Sequence, residues 1–248
     1  MNKRIWIITA ITLVLLTTLA CQVSIGNFGY RTVRGSGEVV TEEIDVGNFN
    51  SVDLTGVGRL TIEIGEEETL VIEAEDNLIE YIETNVRGDT LQIGIRERIN
   101  INPTEPISYS LTVVSLESIS ITGAGNVSAP DLEAERFSVE ISGAGGVDID
   151  NLIADRLDVH ISGLGSLNIG GGYVNQQNVH ISGSGNHEAR DMESTDASID
   201  LSGLGNATVW ATEYLKVDIS GAGSVKYTGS PRVDSDVSGL GSLKKIGE

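Results

Sequence analysis

"HISGLGSLNIGGGYVNQQNVHISGSG", residues 160–185, contains HISG at 160–163 and again at 180–183. The interval is twenty residues. A wider phrase, a hydrophobic residue followed by Ser/Thr-Gly-x-Gly, recurs as ITGAG 121–125, ISGAG 141–145, ISGLG 161–165, ISGSG 181–185, LSGLG 201–205, ISGAG 219–223 and VSGLG 237–241. The hydroxyl residues stand 20, 20, 20, 20, 18 and 18 apart. An earlier copy, LTGVG, lies at 54–58. Seven copies in register are the signature of a repeat architecture.

Outward from the phrase, the pattern is β. Phe137, Val139 and Ile141 alternate with Ser138 and Glu140, and Leu157, Val159 and Ile161 alternate with Asp158 and His160. Beyond the glycines the alternation resumes with Val147 and Ile149, then Leu167 and Ile169. A period of two puts one face inward and one outward. The glycines are expected to serve sharp corners whose backbone angles a Cβ resists.

One unit therefore reads as strand, glycine corner, strand and polar return. The return is too short for a crossover helix. The expected fold is all-β: a parallel β-helix, or β-solenoid, of about seven 18–20-residue coils, its rungs about 4.8 Å apart and its length about 30 Å. Ile219, Val225, Pro231, Val237 and Leu243 fall six apart, as in left-handed hexapeptide helices. The 20-residue majority breaks that rule and favours a right-handed coil. Residues 37–120 are less regular β and are expected to form an N-terminal cap with the first coils, shielding an edge that would otherwise add strands. Within them, EDNLIEYIETNV (75–86) fits a short helix or a broad loop. The SGxG solenoid proper is assigned to residues 121–245.

The first residues follow another logic. Lys3 and Arg4 precede an uncharged run from Ile5 to Leu19, which reads as a signal peptide over residues 1–20. At fifteen residues that run is short for a spanning helix. Cys21, directly after Ala20, is the single cysteine, so no internal disulfide can form. Its place resembles a bacterial lipobox, which makes Cys21 the expected lipidation site, residues 21–36 a lipidated tether and the membrane a partner through that anchor. Gln22 is not the aspartate linked with inner-membrane retention, which leaves display at the cell surface as an expectation and the membrane and face open.

Of 16 basic residues, Lys3 and Arg4 leave with the signal; 14 then face 36 acidic residues, a net charge of −22. That charge repels nucleic acid and anionic lipid headgroups and suits solubility, cations or a basic partner. Aromatic residues make up only 4% of the chain.

The chain resembles the family of auto-transporter adhesin head GIN domain proteins. The likeness is carried by residues 35–86 (GSGEVV through IETNV), by DTLQIGI 89–95, by SLESISITGAGNVSA 115–129 and by the later SGxG repeats. The resemblance implies an exported β-helical protein of the bacterial surface. It supplies no catalytic residues, and the anchor at Cys21 stands in place of an autotransporter barrel.

Several patterns invite chemistry. Gly-x-Gly lacks the third glycine and following helix of a phosphate loop. Ser-Gly-x-Gly is not a nucleophile elbow, because the serine comes first and is repeated. His160 and His180 are expected to face outward on successive rungs, in a column reading Glu140, His160, His180, Asp200, Asp218, Asp236. Beside it runs Ser138, Asp158, Asn178, Ser198, Lys216, Asp234. The two imidazoles, flanked by carboxylates, are candidate ligands for a divalent transition metal; a solvated outer face is the plainer alternative. No cofactor is expected beyond a loosely bound divalent cation such as Ca²⁺. Tyr173 and Tyr214, read as equivalent positions two coils apart, and nearby Trp210 are candidates for stacking on sugar rings.

These readings favour a non-enzymatic binding or adhesion module of the cell envelope, with carbohydrate or an envelope protein as partner. The alternatives are an envelope spacer or sensor and a β-helical carbohydrate-active enzyme. The enzyme would need converging Asp, Arg and Lys, whereas Arg156, Arg190 and Arg232 are scattered along the sequence.

Overall fold

The alternation of apolar and polar residues becomes a stack of parallel rungs. The structure, a computed structural model, describes residues 30–247. Cys21, the expected signal peptide over 1–20 and the first part of the expected tether lie outside the described residues. From residue 121 to residue 201 each repeat pairs with the next at an offset of twenty: Asn126 with Gly146 through Ile141 with Ile161, Leu157 with Gln177, and Ile181 with Leu201. The fold is all-β, with about six turns of solenoid, close to the expected seven.

The long strands Ala124–Ile141, Gly146–Ile161 and Asn186–Leu201 are not straight. Eighteen residues in line would span about 60 Å. Instead the ladder skips the Pro130/Asp150 and Glu135/Asp155 pairs. With the SGxG corner, these skips divide each coil into three paired walls, exemplified by residues 136–141, 126–129 and 131–134. Pro130, which has no N–H to give a ladder, falls on the first skip.

Inside, equivalent residues stack. Ile121, Ile141, Ile161, Ile181, Leu201 and Ile219 make one fully buried column, and Val139, Val159, Val179, Ile199 and Val217 another. Each such side chain contributes roughly 1.5–3 kcal/mol when removed from water. No single coil can collect this alone, since each residue is covered by the rungs above and below.

At the SGxG corner the backbone stays hydrogen-bonded from rung to rung. The N–H groups of Ser162 and Gly163 both donate to Ile141 O at 3.0 and 3.3 Å, and Leu164 N–H donates to Gly143 O at 3.0 Å. The glycines turn out to serve stacking. Among residues 121–241 the SGxG corner glycines have ordinary φ; positive φ occurs within that span only at Gly172 and Gly229, both outside the SGxG corners. A Cβ on Gly143, Gly163, Gly183 or Gly203 would strike the carbonyl oxygen of the equivalent glycine one rung back. The expected dihedral reason is therefore replaced by a steric one: backbone lies directly on backbone, and no side chain fits between. Gly172, at φ +121°, is different, since it opens the corner after Gly170 and Gly171 against the Leu152 backbone.

The change from 20 to 18 residues takes place at two successive corners, between Ala189 and Asp196. Ala189 pairs with Val209 at offset 20, but Glu193 pairs with Trp210 and Ser194 with Ala211 at offset 17, and Asp196 pairs with Tyr214 at offset 18. Three residues, Arg190–Met192, are passed over at one shift, and one is regained at the next. Leu201 then pairs with Ile219, and Ile219 with Val237, at the new spacing.

The LTGVG copy joins the same column although 67 residues separate Leu54 from Ile121. Ser51–Leu54 pairs in parallel with Ser118–Ile121 and, on its other side, with Thr90–Ile95. Val57 and Gly58 likewise pair with Ala124 and Gly125. The intervening chain covers this end with antiparallel pairs: Val39–Asp45 on Thr69–Glu75, Thr69–Glu75 on Ser108–Val113, and Ile82–Arg87 on Thr90–Ile95. EDNLIEYIETNV resolves into a single 3-10 turn at Ile79–Tyr81 followed by that last edge strand. Glu75 pins the cap. Buried in place, its carboxylate accepts the Thr104 hydroxyl (2.5 Å) and the N–H groups of Thr104 (2.9 Å) and Gly37 (2.7 Å). The Thr104 hydroxyl first, and the backbone donors with it, hold this carboxyl below its usual range against the opposing effect of burial.

Candidate functional site

Rung pairing fixes which polar residues stand together on the outer wall formed by residues 136–141 and their equivalents. Glu140 pairs with His160, His160 with His180, His180 with Asp200, Asp200 with Asp218 and Asp218 with Asp236. The adjacent column runs Ser138, Asp158, Asn178, Ser198, Lys216, Asp234 through the same pairs. Both columns follow from the strand alternation and the repeat length.

The His160 and His180 rings lie 6.0 Å apart between centroids, tilted by 55°. Asp200 Oδ2 is 3.2 Å from His180 Nδ1. Arg156 Nε donates to Asp158 Oδ2 at 2.7 Å, and Asn178 Nδ2 donates to Asp158 Oδ1 at 2.9 Å. The Arg156 hydrogen bond, foremost, keeps the Asp158 carboxyl below its usual range. Together these side chains border a shallow, open depression of about 350 Å³. Further down the histidine column, burial pushes the Asp53 carboxyl up, opposed by hydrogen bonds from Ser120 and Thr122. Among the described residues, no three His, Cys, Asp or Glu side chains converge on a metal-sized point.

The aromatic trio does not form one strip. Tyr173 pairs with Glu193 and Glu193 with Trp210, so Tyr173 and Trp210 share a column with a glutamate between them. Tyr214 instead pairs with Asp196 and Arg232, on the histidine-bearing wall. The two register shifts between Ala189 and Asp196 carry Tyr214 onto a different wall from Tyr173, so the expected equivalence of the two tyrosines does not hold. Tyr173 is 40% exposed beside exposed Ile153. Its hydroxyl lies 2.7 Å from Asn175 Oδ1 and 2.9 Å from Thr195 Oγ1. Tyr214 donates to Asp234 Oδ2 at 3.3 Å.

A third histidine escapes the sequence reading. His187 is fully buried in the column of Val147, Leu167 and Ala207, and its Nε2 lies 2.7 Å from Nε2 of buried Gln177. His187 Nδ1 and Gln177 Oε1 have no hydrogen-bond partner. Burial lowers the His187 pKa to about 4, so the ring is neutral at pH 7. Counting twenty residues back from 187 gives Leu167, a core position, and that arithmetic alone would have flagged it. A separate acidic recess of about 820 Å³ at the capped end is lined by Glu43, Asp45, Glu66, Glu67 and Glu68, with Glu68 Oε2 accepting Asn48 N–H at 2.7 Å.

Polar side chains held in open ladders along a stacked parallel prism define a surface-presenting β-solenoid. The chain belongs to the family described as "Putative auto-transporter adhesin, head GIN domain", whose model matches residues 48–231. It is similar to the crystal structure of a "putative adhesin" from Bacteroides fragilis NCTC 9343, at 28% identity and a TM-score of 0.82, over 86% of this chain and 100% of that one. It also shares its fold with a "putative adhesin" from Parabacteroides merdae ATCC 43184 (20% identity, TM-score 0.71, 87% of this chain and 99% of that one). A "putative adhesin" from Parabacteroides distasonis ATCC 8503 is alike in fold (20% identity, TM-score 0.68, 87% and 100%). No curated protein matches the sequence. The adhesin description of the family suggests an adhesion-like protein at the cell surface or outside the cell.

Proposed function

We propose that this protein is a non-enzymatic adhesion module, held at the bacterial surface by a lipid on Cys21, whose ladder-bearing walls bind a carbohydrate or an envelope protein. The observation that carries this reading is the rung-by-rung repetition of Ser, Asp, Asn and His on one open wall. Such a wall offers a repeated ligand many weak contacts at a fixed spacing of about 4.8 Å, and their effects multiply. Arg156 holds Asp158 in its ionised form. A carboxylate so held is poorly suited to donate a proton at neutral pH, which favours binding over general acid chemistry at this depression.

The test is binding of the folded chain to a glycan array and to purified envelope proteins. The expected result is saturable binding that weakens when Asp158, Asp200 and Asp218 are together replaced by Asn. Binding to glycans or to envelope proteins alone would decide which class of partner the walls take, and no saturable binding to either would overturn the proposal. For the anchor, fatty-acid labelling should mark the wild type and not Cys21→Ser; equal labelling would contradict it.

A further inference from the structure

We infer that His160 and His180 form a transition-metal site on the outer wall, taking Zn²⁺, Ni²⁺ or Cu²⁺ through one imidazole nitrogen each and leaving the other coordination positions open. The inference is independent of the adhesion reading. Parallel pairing sets the two residues on neighbouring rungs of the same face. A metal bound at about 2.0–2.1 Å from an imidazole nitrogen sits about 3.2 Å from that ring's centre, so two rings sharing it at a near-tetrahedral angle have centres about 5 Å apart. The rings stand 6.0 Å apart, and His180 is 44% exposed, so a modest side-chain rotation closes the gap without disturbing the core.

The surroundings fit the charge. Asp200 Oδ2, 3.2 Å from His180 Nδ1, favours a proton on that nitrogen and leaves Nε2 bare, the carboxylate–histidine arrangement that orients metal ligands. Glu140 flanks His160 from the other side. The nearby cations are engaged: Arg156 with Asp158 at 2.7 Å and Lys216 with Asp218 at 3.1 Å. Imidazole ligands select Zn²⁺, Ni²⁺ and Cu²⁺ over Ca²⁺ and Mg²⁺, which prefer oxygen. His187, the remaining histidine, is enclosed in the core and cannot reach a surface metal.

Calorimetric titration of the folded chain with Zn²⁺ and with Ni²⁺ tests this. The expected result is one saturable equivalent per chain, retained in excess Ca²⁺ and lost in both His160→Ala and His180→Ala, whose circular dichroism and melting curves match wild type. Asp200→Asn should weaken it about 10-fold. In imidazole NMR spectra the His160 and His180 signals should move on metal addition and the His187 signal should not. Equal uptake by wild type and both alanine variants, displacement by Ca²⁺, dependence on only one of the two histidines, or no saturable uptake would each overturn the inference.

Discussion

Gly58 and Gly125 occupy the same column on adjacent rungs, yet they are glycines for different reasons. Gly58 has φ +123°, a conformation that resists any Cβ, and this dihedral demand comes on top of a close approach to Ile107 O. Gly125 has ordinary φ and is required because its Cβ would press on Leu54 and on Gly58 O. The contrast extends to whole regions. Gly37, Asn48, Gly58, Gly88 and Arg98, five of the seven positive-φ residues among the described residues, lie between 37 and 98. The capped end bends its chain through reversals and antiparallel pairs, whereas the repeat region rises rung on rung with scarcely any backbone strain. One amino acid thus meets a dihedral demand at one end and a spacing demand along the rest.

The largest effect should come from adding a methyl where two backbones touch. Gly163→Ala meets Gly143 O, which cannot move without breaking the ladder. A loss of about 3 kcal/mol or more is expected in urea denaturation. A loss below about 1 kcal/mol would mean that the rungs are less closely stacked than described.

Acid should act on the repeat region through His187. Its folded pKa, about 4, lies below the ordinary 6.5. The neutral ring therefore supports the fold fully above pH 6.5, and that support is lost as pH falls toward 4, by about 3 kcal/mol in all. The double variant Gln177→Leu/His187→Leu, which matches the Leu157 and Leu167 rungs, should lack this part of the pH slope. His187→Leu alone should cost about 1–3 kcal/mol at pH 7 by leaving buried Gln177 unpaired, and the second substitution should recover most of it. Parallel pH profiles for wild type and the double variant would contradict the assignment.

A smaller effect tests the capped end. Gly88 has φ +62° and open space where a Cβ would point, so Gly88→Ala carries only the dihedral penalty, about 1 kcal/mol. A loss as large as that of Gly163→Ala would erase the distinction between the two kinds of glycine. Smallest of all, Lys216→Ala removes an exposed pair with Asp218 and should leave the urea midpoint unchanged within error.

Much of this architecture is legible in the chain. The SGxG interval gives the parallel register, and the alternation before it gives the histidine and aspartate columns residue by residue. Three features are not legible for physical reasons. The passing-over of Arg190–Met192 is a local bulge, invisible to a count of phrase-to-phrase distance, and it separates Tyr214 from Tyr173. The cause of the glycines cannot be read from one coil, because the obstructing atom belongs to the rung before. The seat of LTGVG 54–58 beneath ITGAG 121–125 depends on antiparallel pairs folded between them, and no fixed period announces those.

The central claim is that all SGxG corners lie in one column. Spin labels can measure it directly, in a Cys21→Ser background, with one label at Thr122 and the second moved through Ser182, Ser202, Ser220 and Ser238, all exposed corner positions. The account predicts distances rising by about 4.8 Å per rung, from about 14 Å to about 29 Å. Distances that fail to grow evenly with rung number would contradict it.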